Sequence, residues 1–88
     1  MTLTRVESSQ IAAIGYSPDT SELSVLFKNR DGSNGSLYVY DSVEPETYAG
    51  LAAAESVGSQ FAQSIKRGGY EFRKLDSAGV VIDGEVQA

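Results

Sequence analysis

Leu23-Ser24-Val25-Leu26-Phe27-Lys28, followed after a loop by Leu37-Tyr38-Val39-Tyr40, decides the fold. Leu23, Val25 and Phe27 alternate with Ser24, Leu26 and Lys28, the period of two that a strand needs to bury one face. The loop between the two runs, Asn29-Arg30-Asp31-Gly32-Ser33-Asn34-Gly35, is built from residues that tolerate positive φ, so the runs form a hairpin. Upstream, Gln10 to Tyr16 carries Ile11, Ala12, Ala13, Ile14 and Tyr16, and Ser17-Pro18-Asp19-Thr20 follows as a turn. Two hairpins in series give a three-stranded antiparallel meander.

Beyond Tyr40 the period changes from two to between three and four. Pro45 suits the first helical position because its missing N–H has no partner there in any case, and Glu44 and Glu46 lie at the positive end of the helix dipole. A helix is predicted over 45–54, with Tyr48, Leu51 and Ala52 on one face. Ser56 caps a second helix in which Val57, Phe61 and Ile65 recur every four residues, and Gly68-Gly69 ends it. Both are too short to be stable alone, so they pack on the sheet. Tyr70 to Leu75 alternates again, Asp76-Ser77-Ala78-Gly79 signals a turn, and Val80-Val81-Ile82 is β-branched, which together suggest a C-terminal hairpin. The expectation is an α+β domain over 1–75 with an extension over 76–88 that holds a strand near 80–82 and ends frayed.

The 88 residues make one small domain, with a core too thin to bury much more than about 60% of the unfolded chain's surface. There is no cysteine and no histidine. Disulfides, thiolate metal sites, triads and proton shuttles near neutral pH therefore lose their usual parts, and a non-enzymatic protein in a reducing, cytoplasmic setting is expected. No cofactor is implied. The glycines fit neither the phosphate-binding loop nor the dinucleotide fingerprint, and Asn29-x-Asp31-Gly32 lacks the further ligands of a calcium loop, so it reads as a turn. No run is long enough to span a membrane.

The net charge of −5 opposes a DNA-coating role, yet four of the seven basic residues, Lys66, Arg67, Arg73 and Lys74, fall in one short window. With Lys28 and Arg30 at the end of the neighbouring strand and Tyr38 and Tyr40 on one strand face, they compose a basic-aromatic surface suited to stacking bases and tracking phosphates. The plainer readings are that the charges are solvated faces, that Arg67 satisfies helix-end carbonyls, and that the tyrosines fill a core holding only three phenylalanines and no tryptophan.

The order of Ser8-Ser9-Gln10-Ile11-Ala12-Ala13-Ile14-Gly15-Tyr16, Leu23 to Asn29, Tyr38-Val39-Tyr40, Val43 to Tyr48 and Phe61 to Arg67 resembles the KTSC domain over about Val6 to Tyr70. That family occurs at the C-terminus of some lysyl-tRNA synthetases and as free-standing bacterial and phage proteins. The resemblance implies this α+β fold and carries a suggestion of RNA or tRNA binding. Val39 stands where the family often has a polar or basic residue, the loop from Arg30 to Ser36 is longer than usual, and the tail beyond Tyr70 is additional. The rival expectation is an acidic protein-interaction module: a phage-type inhibitor presenting Glu44, Glu46 and Glu55 to a host protein, or a sheet that uses open edges with Val39 or Leu26 exposed on its outer face.

Overall fold

The runs flanking Tyr38-Val39-Tyr40 are the centre of a larger sheet than the sequence suggests. The computed structural model describes residues 2–76 and 81–83. Its strands are β1 (Thr2–Arg5), β2 (Ile11–Ser17), β3 (Glu22–Lys28), β4 (Asn34–Tyr40), β5 (Phe72–Leu75) and β6 (Val81–Asp83), with helices α1 (Pro45–Ala53) and α2 (Val57–Phe61) between β4 and β5. The order across the sheet is β5-β4-β3-β2-β1-β6. Five strands are antiparallel neighbours, and β6 joins β1 in parallel.

The predicted three-strand meander is thus β2-β3-β4, and the sheet extends on both sides of it. Thr2–Arg5 has one large apolar residue, Leu3, too little periodicity to mark a strand, yet it pairs through Thr4↔Ile14 and Arg5↔Ala13. The expected C-terminal hairpin does not form. β5 adds to β4 through Tyr38↔Lys74 and Tyr40↔Phe72, while β6 lies at the opposite edge beside β1. The frayed end expected over Asp83 to Ala88 lies, apart from Asp83, outside the described residues. Five strand spacings of a flat sheet cover about 24 Å, whereas the six steps from Leu75 to Val81 reach about 22 Å at full extension, so the sheet must curl.

Register assigns the side chains to two faces. Ile11, Ile14, Leu23, Val25 and Tyr40 pack with Val43, Leu51, Val57, Phe61 and Ile65 beneath the helices. Leu3, Ala12, Ala13, Leu26 and Leu37 form a second cluster with Ile82 against it. Val39 and Leu26 are therefore buried, at 1% and 0% exposure, and the outer face does not present them as expected. Above Val39 and its cross-strand neighbour Ser24 lies Arg73, whose guanidinium donates to Glu22 at 2.5 Å and to Asp41 at 2.7 Å.

On α1 only Leu51 is fully buried; Ala52 faces solvent. Tyr48 stacks on Tyr16 with centroids 5.1 Å apart, and the Tyr16 hydroxyl donates to the Val43 carbonyl at 2.6 Å, tying the entry of α1 to β2. The second predicted helix changes character midway: α2 runs into a π-helical turn over Ala62–Lys66. A spacing of four drifts about 40° per step around an ordinary helix. The wider π turn takes that drift back, so Val57, Phe61 and Ile65 all stay buried.

Two carboxylates, the half-buried Glu22 and the exposed Asp31, have a stake in acid stability. Glu22 is held below the usual carboxylate range by its bond from Arg73 and then by Thr20, and Asp31 by the Ser33 hydroxyl and then the Ser33 N–H. A depressed folded-state value contributes stability above the unfolded value, roughly 4, and that contribution is lost as pH falls through the folded one. Thermal melts should therefore be level from neutral pH down to about 5 and decline below about 4. In Arg73→Gln the Glu22 share of that decline should vanish; an unchanged profile would remove the ion pair from the explanation.

Candidate nucleic-acid interface

Between the helix-facing side of β3-β4-β5 and the α2–π segment lies a groove of about 520 Å³. Tyr38 and Tyr40 reach it because β4 alternates, sending Leu37 and Val39 to the other face. Phe72, opposite Tyr40, and Lys74, opposite Tyr38, extend the same side at the sheet edge.

The aromatic rings form a connected set. Phe27 meets Tyr38 and Phe61 edge-on, each at 5.5 Å, and Phe61 meets Tyr40 at 5.6 Å. Phe72 lies tilted against Tyr38 at 5.6 Å and Tyr40 at 5.4 Å. Exposure grades outward along this set: Tyr40 is buried, Tyr38 half-buried, and Phe72 60% exposed. Burial, then the neighbouring Tyr38, pushes the Tyr40 phenol above its ordinary value, so it stays protonated near neutrality and carries no charge into the groove. Tyr40 is thus a core residue, and Tyr38 is both core support and groove wall.

The cations predicted for this surface divide. Lys66, at the end of the π turn, lines the groove, and Lys74 stands exposed on the groove side of β5. Arg67 is exposed just past Lys66. Arg73, one residue from Lys74, falls on the opposite sheet face and is occupied by Glu22 and Asp41. Adjacent strand residues point to opposite faces, so the contiguous basic run cannot make one patch. Lys28 is also engaged, its ammonium donating to the Ser8 carbonyl at 2.6 Å, and Arg30 sits exposed in the β3–β4 loop. In that loop Asp31 accepts from both the N–H and hydroxyl of Ser33, which makes it a turn residue.

Sequence reasoning missed Phe72 as a site residue. Its signal was available: on an alternating run Tyr70, Phe72 and Lys74 share one side, so the aromatic that accompanies Lys74 is Phe72. The π turn that delivers Ile65 and Lys66 to the groove had only the strict four-residue spacing as its trace.

A small, largely antiparallel sheet with two short helices on one face, and an aromatic groove where they meet, defines a class of compact α+β modules. Residues 7–70 match the model of the KTSC domain, and the chain belongs to that family. It is 35% identical over 71 residues to an uncharacterized protein of Stutzerimonas stutzeri, a match covering 81% of this chain and 93% of that one. It is 43% identical over 53 residues to a protein of Tsukamurella paurometabola, covering 60% and 72% of the two chains. The crystal structure of a KTSC domain protein from Yersinia pestis superposes with a TM-score of 0.69 at 30% identity, over 84% of this chain and 96% of that one.

Proposed function

We propose that the groove binds single-stranded RNA, as a non-catalytic module, by stacking bases on Phe72 and Tyr38 and holding phosphates with Lys66, Arg67 and Lys74. The observation that carries this reading is Phe72: a phenylalanine left 60% exposed, braced from behind by two tyrosines, beside two lysines. An exposed ring on a rigid support is a stacking platform, worth about 1–3 kcal/mol per base. A chain without cysteine accords with a reducing cytoplasmic setting.

Fluorescence anisotropy with labelled single-stranded RNA and tRNA tests it. Three phosphate contacts on a single strand predict a log–log salt slope near −2. Phe72→Ala should weaken binding about 5- to 150-fold, the equivalent of one stacked base, and Lys66→Glu with Lys74→Glu should abolish it while the folded chain melts as before. No saturable binding at high micromolar protein, or affinity indifferent to Phe72→Ala, overturns the reading.

A further inference from the structure

We infer that β5 is a self-association edge through which two copies of this chain join their sheets across a twofold axis at Phe72. The Asp41 N–H donates to the Glu71 carbonyl at 2.9 Å, which makes Glu71 and Asp41 a hydrogen-bonding pair. Along an antiparallel ladder such pairs alternate, so Arg73 and Leu75 also direct their backbone groups at β4. The N–H and C=O of Phe72 and Lys74 consequently face away from the sheet, on the side where β5 has no neighbour among the described residues. Phe72 and Leu75 are the exposed large apolar side chains among the described residues, and both belong to this one short strand.

Side-chain charge selects the occupant and its register. Two copies of β5 can exchange hydrogen bonds antiparallel only through Phe72 or Lys74. Centring on Lys74 sets lysine against lysine, and centring between the two sets Arg73 against Arg73 of the partner subunit. Centring on Phe72 places Phe72 against its own copy, Glu71 against the partner's Arg73, and Tyr70 against the partner's Lys74. Of these three registers it alone is free of a direct like-charge pair, and opposite charges across a ladder are favourable where like charges are not. It sets the two exposed phenylalanines side by side and aligns two grooves end to end on one face of a continuous sheet. Phe72 takes part in both the proposed base stacking and this edge, and the cross-linking test reads the edge with no nucleic acid present.

The absence of native cysteine supplies a clean test. Hydrogen-bonded residues opposite one another sit with Cα atoms about 5.5 Å apart, inside disulfide range, whereas Lys74 and its copy would be about 14 Å apart. Under mild oxidation Phe72→Cys should yield a covalent dimer and Lys74→Cys should stay monomeric, with the unsubstituted chain sedimenting at twice the monomer mass. Preferential cross-linking of Lys74→Cys, or a monomer of the unsubstituted chain at several hundred micromolar, overturns the proposal.

Discussion

Phe61→Ala should remove half or more of the chain's stability. Truncating a buried phenylalanine costs about 3–5 kcal/mol, and a domain of this size has about 5–10 kcal/mol in total. Phe61 belongs at the upper end of that range because of where it sits. It is 4% exposed, it is the last residue of α2, and its ring is the contact between the helical layer and both Phe27 and Tyr40 of the sheet. Removing it opens a void bounded by the rings of Phe27 and Tyr40, whose backbones are fixed in separate strands, so the site cannot collapse to fill it. Denaturant unfolding should show the midpoint falling steeply with little change in slope. A loss under about 1.5 kcal/mol would mean that the helices are held to the sheet chiefly elsewhere, with Tyr16 and Tyr48 the next place to look.

Gly68→Ala is expected to be damaging as well, although Gly68 is solvent-exposed and part of no strand or helix. A methyl group built there would lie 2.5 Å from Cε2 of Tyr70 and 2.7 Å from the backbone carbonyl of Ser64. The tyrosine ring alone could swing aside, but the carbonyl belongs to the π turn, so relief on one side means distorting the segment that presents Ile65 and Lys66. Overpacking of this kind costs about 1–3 kcal/mol, corresponding to a melting point lower by roughly 5–20 °C for a chain this short. Gly50→Ala is the control. Nothing lies within 4 Å of that position in α1, and alanine there should be neutral or stabilising by up to about 1 kcal/mol. Equal behaviour of the two variants would refute the steric account of Gly68.

These positions show what local pattern conveys. Strand β3 was legible from its period of two, β2 from an apolar run with little polarity in it, β4 from Leu37 to Tyr40 after a turn-forming loop, and α1 because Pro45 and the acidic residues beside it mark its start. What pattern could not convey is partner choice. The alternation of Tyr70 to Leu75 is the same whether β5 turns back on Val81 or adds to β4, and aromatic packing of Phe72 on Tyr38 and Tyr40 favours the second. The outer face was misjudged for a related reason. Leu26 and Val39 look solvent-directed on a one-sided sheet, but here the second side has its own cluster and an arginine clamped over it. For the site, the tyrosine pair and Lys66 were visible in the sequence. The loss of Arg73 to Glu22 and Asp41 was not, because those partners are 51 and 32 positions away along the chain.

The parallel pairing of Thr2–Arg5 with Val81–Asp83 bears on how the chain is made in the cell. During translation β1 can join β2 early, but its other edge stays open until Val81 has emerged. At about 5–20 residues per second the ribosome needs roughly 4–15 s to travel from Arg5 to Val81. For that interval every nascent copy displays an unfinished edge headed by Leu3, and on a crowded polysome the nearest complementary strand belongs to the neighbouring copy. Leu3 is flanked by Thr2, Thr4 and Arg5. A polar, charged surround of this kind discourages edge pairing between chains, and Thr2, Thr4 and Arg5 supply it during the seconds before the last strand arrives.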